Sequence, residues 1–483
     1  MVVYKCRAVA ALVMALCSFV FAGSILAQQD SQPPLEEKPK PAGSSFPGPA
    51  TDNPDSQAPG DQALTPDTTP LTGPLTPTLG SPEIRHSYWV PGLQWSSSIQ
   101  SNSYNQTQTQ NSGWVMNNYV LGNLSLLKVW GRSQLAINGS AGGYFSSDST
   151  QSADSYEQLV VSQSFQLNRW QIQLLDQFSY LPQTSIGFGG GTGLGVPGAG
   201  GSVGPVIPGL GNNYVPNQSI YAAQGPRYSN ASIIQTTYLL SPRASVTLSG
   251  SYGFLSFVDP GNVDNQMASG TAGYNYSLSR QDTLGIFYQF SSYHFSGQPE
   301  AYGNHSVNFA YGRKLPGHLA LQAYGGPAFT TSRVSTNGNT VTHGLNFGLN
   351  ANRGLRRGGV TVGYSHSLTG GSGIINGSTA DILTVGFNHD LSRLWSAQVN
   401  GSYAHNKPID GFGTSAAETF NTWNFGGGLN RPLSRTASLG IAYNATVTRY
   451  SSASCTTGSC NLGQTYNYVT ITIQWHARPL VLP

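Results

Sequence analysis

At 483 residues and 51.2 kDa the chain is long enough for several globular domains, yet only 9% of it is charged, against roughly 25% in an average soluble protein. Its net charge of +3 comes from basic residues that stand singly or in pairs, which excludes an electrostatic footprint for nucleic acid. Aromatic residues make up 11% of the chain and supply surface to bury, which excludes wholesale disorder.

The chain opens with Lys5 and Arg7, runs through apolar sequence from Ala8 to Phe21 and reaches Ile25-Leu26-Ala27, a usable small-residue cleavage site. Residues 1–27 read as a secretory signal peptide. Cleavage at Cys17 as a lipoprotein is disfavoured, because Leu16 stands where a small residue is needed. Residues 28–85 are rich in Pro, Asp, Thr, Ser and Gly and have no apolar period. That composition predicts a disordered periplasmic linker, with a tether for a periplasmic partner as the alternative. No later stretch has the roughly 18 continuous apolar residues of a membrane helix.

Within residues 86–483, read as the barrel, one device repeats from Trp89 to Trp475: an alternating segment, then in turn a very short basic connection and a longer Gly/Ser/Asn loop. The short connections share a pattern: Leu167-Asn168-Arg169, Ser241-Pro242-Arg243, Leu278-Ser279-Arg280, Leu315-Pro316-Gly317, Leu355-Arg356-Arg357, Leu391-Ser392-Arg393 and Leu433-Ser434-Arg435. The alternation is clearest in Leu284, Ile286, Tyr288 and Phe290 against Thr283, Gly285, Gln289 and Ser291. It recurs in Leu345, Phe347, Leu349, in Leu439, Ile441, Tyr443 and in Val469, Ile471, Ile473, Trp475. One face is apolar and the other polar.

A soluble β-sandwich also alternates. Against it stand segments longer than the usual five or six residues, a polar face almost without charge, and the export signal. Tryptophans near segment ends (Trp95, Trp114, Trp130, Trp170, Trp395, Trp423, Trp475) suit interfacial girdles. The predicted fold is therefore all-β: a transmembrane up-and-down antiparallel β-barrel of about 18 strands (16–18) after a disordered segment. Its expected location is the bacterial outer membrane, in contact with outer-membrane lipid.

Cys455 and Cys460, in a Ser/Thr/Gly-rich stretch of an exported chain, read as a loop-stapling disulfide. The competing metal half-site has no histidine or further cysteine near it. The final segment, Tyr466 to Trp475, resembles the C-terminal signal that the barrel-assembly machinery recognises, with the extra tail Ala477 to Pro483 as a departure.

The signal peptide, short turns, longer outer loops and segment count together resemble bacterial porins. The resemblance is architectural and implies a channel. The third long loop, 182–226, holds the place of the inward-folded loop of general porins, yet it contains no Asp or Glu and no Lys or Arg before Pro226. Folded inward, it would give a neutral constriction with Tyr214 and Tyr221. By alternation Asn138, Asn275, Asn308, Gln322, Asn346, Asn350, Asn388, Gln398, Asn400, Asn424 and Asn444 point into the lumen. Amides offer donors and acceptors without fixed charge, and Asn, Ser and Thr are also the simplest residues with which to wet a lumen.

The expected function is passive diffusion of small, mainly neutral hydrophilic solutes, saccharides among them. An exopolysaccharide secretion exit and a closed structural or adhesion barrel are the alternatives. A homo-oligomer fits the porin resemblance, although no residue marks an interface. The Gly193, Gly195, Gly198 spacing is no nucleotide site, because Pro197 interrupts it and no acidic partner follows. His389 and Asp390 fall on opposite faces of a strand. No enzyme activity, metal or cofactor is expected.

Overall fold

The computed structural model describes residues 71–72, 87–101, 114–147, 153–182, 225–260, 262–296, 301–334, 338–370, 377–409, 419–451 and 463–482. The signal-peptide segment, most of 28–85, Tyr214, Tyr221, Cys455 and Cys460 lie outside the described residues.

The first nine strands are β1 (Ser87–Ser101), β2 (Trp114–Trp130), β3 (Ser133–Ser146), β4 (Asp154–Leu167), β5 (Trp170–Leu181), β6 (Arg227–Ser241), β7 (Ala244–Phe257), β8 (Asn265–Ser277) and β9 (Asp282–Phe295). Then come β10 (Ala301–Leu315), β11 (Leu319–Val334), β12 (Gly338–Leu355), β13 (Gly358–Thr369) and β14 (Ser378–Asp390). The wall is completed by β15 (Ser396–Pro408), β16 (Thr419–Pro432), β17 (Ala437–Ser451), β18 (Gly463–His476) and the short β19 (Leu480–Leu482).

Each strand pairs antiparallel with its neighbour in sequence, and β18 returns to pair with β1 from Gly92↔His476 to Ser101↔Asn467. Eighteen strands thus close the barrel. Closure joins the first and last strands, so that the sheet has no free outer strands, as a sheet standing in lipid requires. The C-terminal tail is part of the wall. Ala477 N–H donates to Pro91 O at 2.8 Å, and beyond this irregularity β19 pairs with the start of β1, Ser87↔Leu482 to Trp89↔Leu480.

The short connections fall where the Leu/Ser-x-Arg pattern predicts. An eighth, Gly131-Arg132 between β2 and β3, breaks that pattern: Gly131 has φ 53°, a left-handed conformation that glycine takes without strain. Serine hydroxyls close others. Ser392 Oγ accepts from the N–H of Leu394 and of Trp395, both at 3.2 Å. Ser279 Oγ accepts from Gln281 and Asp282 at 3.0 Å. Main-chain donors freed at the strand ends find an acceptor one to three residues away.

Directly paired residues share a face, so the register carries the alternation round the barrel. Leu284, Ile286, Leu345, Leu349, Ile471 and Ile473 are all exposed on the outside. A surface of this kind far exceeds the apolar patches that water-soluble monomers carry. The outer wall is therefore a lipid face, and the protein is an outer-membrane barrel.

Rings mark the edges of that face. Trp114 and Trp423 lie toward the long-loop end, and Trp130, Trp170 and Trp475 toward the short-turn end. At the long-loop end the girdle also uses histidine. His305 lies 4.8 Å from Phe290, His343 5.4 Å from Phe329 and His366 5.0 Å from Phe347, between ring centroids. Trp95 departs from the expected girdle: it stands mid-strand, paired with Val120 and Ile473, because the outward position there needs only an apolar side chain. A second departure is Asp176, midway along β5. It shares the outward face with Phe178 and Leu174, and it accepts hydrogen bonds from Ser232 Oγ and, at 3.3 Å, Asn230 Nδ2.

Candidate solute path

The inner wall carries amides, hydroxyls and glycines. The register sets all eleven candidate amides on the face opposite the lipid-exposed residues. Asn275, Asn308, Asn346 and Asn424 are buried, Asn388 is exposed, and Asn138, Gln322, Asn350, Gln398, Asn400 and Asn444 lie between. Seven of them fall in two groups. On β14 to β17, Asn388 pairs with Gln398, Asn400 with Gly426, and Gly426 with Asn444. A Cβ at Gly426 would stand 2.6 Å from Asn400 Oδ1 and closer still to Asn444 Oδ1, so the glycine lets two amides meet over it. On β11 and β12, Gln322 pairs with Asn350 and Asn346 with Gly326. Asn138 stands apart on β3, where Ser125 Oγ donates to its Oδ1 at 2.8 Å.

On the inner wall, charge is confined to the strand ends. Among the described residues, Asp and Glu, Lys and Arg on the inward face are Asp154 and Arg227 at the long-loop end and Lys314 and Asp390 at the short-turn end. Between them the inner wall is neutral over the full depth of the sheet. A neutral wall holds no fixed counter-ion and discriminates weakly between cation and anion.

Two aromatic clusters line the long-loop half, and sequence reasoning missed both. Tyr119, Leu121, Tyr144, Tyr156 and Leu181 pack together, with Tyr119 5.0 Å from Tyr144 and 6.0 Å from Tyr156. Tyr144 and Tyr156 keep their hydroxyls satisfied on Asn117 Oδ1 at 3.0 Å and Gln158 Oε1 at 3.1 Å. The second cluster joins Met267, Tyr293, Phe295 and Tyr302, with Leu368 and Ile409 against it. Tyr293 OH donates to Leu368 O at 3.2 Å and Asn265 Nδ2 to Gly370 O at 3.0 Å, so β9 and β8 reach the end of β13 past three and four intervening strands. The period-two pattern carries these rings as inward positions. Only extension of the alternation to aromatic residues would have found them.

At the short-turn end the inner wall holds part of the N-terminal segment. Leu71 N–H donates to Asn275 Oδ1 at 2.9 Å, Asn275 Nδ2 donates to Thr72 Oγ1 at 2.8 Å, and Gln322 Nε2 donates to Leu71 O at 3.4 Å. Asn275 lies three residues before the β8–β9 connection and Gln322 three after the start of β11. The contact therefore sits just inside the mouth.

A histidine–carboxylate pair lies on the outer face. His366 Nδ1 and Asp381 Oδ1 are 2.8 Å apart on β13 and β14, with Tyr364 OH donating to the same oxygen at 2.7 Å. His389 and Asp390 do stand on opposite faces, His389 stacked on Phe387 at 5.9 Å.

No protein-family model matches this sequence, and no curated protein does. Solved structures of similar shape include OccK2 (OpdF) of Pseudomonas aeruginosa, 9% identical, with 81% of this chain over 98% of that one at a TM-score of 0.41. A BenF-like porin from Pseudomonas fluorescens Pf-5 is 12% identical, covering 82% and 99% of the two chains, with a TM-score of 0.41. The outer membrane protein OpdK of Pseudomonas aeruginosa is 11% identical, covering 80% and 98%, with a TM-score of 0.39. At such identity and overlap the likeness carries neither a substrate nor a residue role over to this chain.

Proposed function

We propose that the barrel is a porin-like channel for passive diffusion of small, mainly neutral hydrophilic solutes, with saccharides as the best-matched class. The observation that carries the reading is the inner wall, which among the described residues is free of charge away from the strand ends and sets amides and hydroxyls beside its apolar and aromatic side chains. A wall of 18 strands encloses more space than its own side chains fill. Amides such as Asn400 and Asn444 present donors and acceptors in the pattern a sugar hydroxyl needs, and the tyrosine clusters add flat amphipathic faces.

On this reading residues 1–27 export the chain, the assembly machinery inserts it through the final strand, and the 182–226 loop with Tyr214 and Tyr221 adds a neutral constriction. A Cys455–Cys460 disulfide would staple an outer loop. The test is swelling of proteoliposomes in isotonic sugar. Swelling rates that fall with sugar size, and that match for neutral sugars and exceed those for charged sugar acids of the same size, are the expected result. A second reading, a closed structural barrel, draws support from the aromatic cluster that joins β8 and β9 to β13. It predicts no swelling with any sugar.

A further inference from the structure

We propose that the inner wall of β8 to β11, at the short-turn mouth, is a binding site for a proline-flanked peptide, filled in this chain by its own Leu71-Thr72. Recognition is of main chain. Asn275 Oδ1 accepts from the N–H of Leu71 and Gln322 Nε2 donates to its C=O, while Asn275 Nδ2 donates to Thr72 Oγ1. Asn275 is itself buried and steadied by a 3.3 Å bond from its Nδ2 to Thr247 Oγ1.

The wall is hollowed to fit. A Cβ on Gly273 would lie 2.5 Å from Thr72 Cβ, one on Gly285 2.9 Å from Thr72 Cγ2, and one on Gly312 2.8 Å from Leu71 Cδ2. Three glycines on three adjacent strands thus leave room for two side chains, and Thr72 is only 3% exposed. The sequence around the pair is suited to such a site. Pro70 precedes it, Gly73-Pro74 follows, and Pro-Leu-Thr recurs at 74–76. Proline narrows the free chain's conformations, so that ordering it on the wall costs less.

Tethering is sterically open. From Thr72 to Ser87, where the chain enters the wall, a contour of about 50 Å is available at about 3.3 Å per residue. An 18-stranded barrel is about 35 Å wide for strands about 4.8 Å apart tilted by about 40°. Binding at this site is independent of solute passage. Its consequence, a narrower passage, rests on the channel reading.

The experiment uses the full chain with Cys455→Ser and Cys460→Ser. Thr72→Cys with Gly285→Cys should form an intramolecular disulfide on mild oxidation, and Thr72→Cys with Asn424→Cys should not. In parallel, Leu71→Asp with Thr72→Asp empties the site, and a synthetic peptide of residues 64–80 is titrated onto that variant. Saturable binding, weakened roughly tenfold or more by Asn275→Leu through loss of the amide's hydrogen bonds, is expected. Absence of both the cross-link and peptide binding overturns the site. A cross-link in a protein whose emptied variant still conducts nothing leaves the peptide site standing and removes the channel. Conductance that rises in the emptied variant supports both.

Discussion

Asn275 holds Thr72 across 203 positions of sequence: its Nδ2 donates to the threonine Oγ1 at 2.8 Å while its Oδ1 accepts from the neighbouring Leu71 N–H at 2.9 Å. A lumen amide expected to meet solute instead meets the protein's own chain. Asn275→Leu removes both bonds and leaves the Leu71 N–H without its acceptor on the wall. The cost should be about 1–3 kcal/mol, read as a lower urea midpoint with unchanged slope, and protease cleavage between residues 64 and 80 should accelerate.

The two faces of a strand are tested by adjacent residues. Val385 is exposed on the lipid side at mid-strand, and Thr384 faces inward. Val385→Arg should cost about 2–4 kcal/mol when the barrel is refolded into bilayers. Thr384→Arg loses only the 3.4 Å bond to Gly363 O, about 1 kcal/mol or less. Equal costs would contradict opposite faces for the two residues.

The barrel was legible in the sequence because period-two alternation and the Leu/Ser-x-Arg turns are local signals. Leu284 to Phe290 needs no partner to declare its faces, and Ser279-Arg280 marks its own turn. What was illegible depends on residues far apart. Leu71 and Thr72 sit in a segment without apolar period, and nothing local links them to Asn275 or Gln322. Asp176 breaks the apolar face, and its partners Asn230 and Ser232 come from the next strand across the longest loop. Gly131-Arg132 escaped as a turn because glycine's φ, rather than a serine or proline, makes the bend. Among the amides, inward direction followed from parity alone. Which of them meet, as Asn400 and Asn444 do over Gly426, needed the register.

The tail offers a third test. Removing residues 480–482 takes from Ser87–Trp89 its pairing with β19 but leaves the pairing of Tyr88 with Leu127 on β2. The barrel should still close through Gly92↔His476, at a cost of about 1–2 kcal/mol. A modest fall in the temperature at which the folded band converts to the unfolded band on a gel would show this.

Neutrality of the wall predicts a reversal potential close to zero in a salt gradient. Asn400→Asp should move it toward cation preference and Asn400→Lys toward anion preference. Both shifts should be larger at 0.01 M than at 1 M salt, where the screening length falls from about 30 Å to about 3 Å. A strongly selective native protein would place the charge elsewhere, in the outer loops.

Single-channel conductance of the refolded full chain in a planar bilayer, with neutral oligosaccharides added and residues 182–226 deleted in a second preparation, reads the solute path most directly. A neutral-solute channel gives discrete steps that sugars block and that the loop deletion enlarges. Silence in both preparations, with the barrel shown to be folded and inserted, would contradict a channel and leave a closed structural barrel.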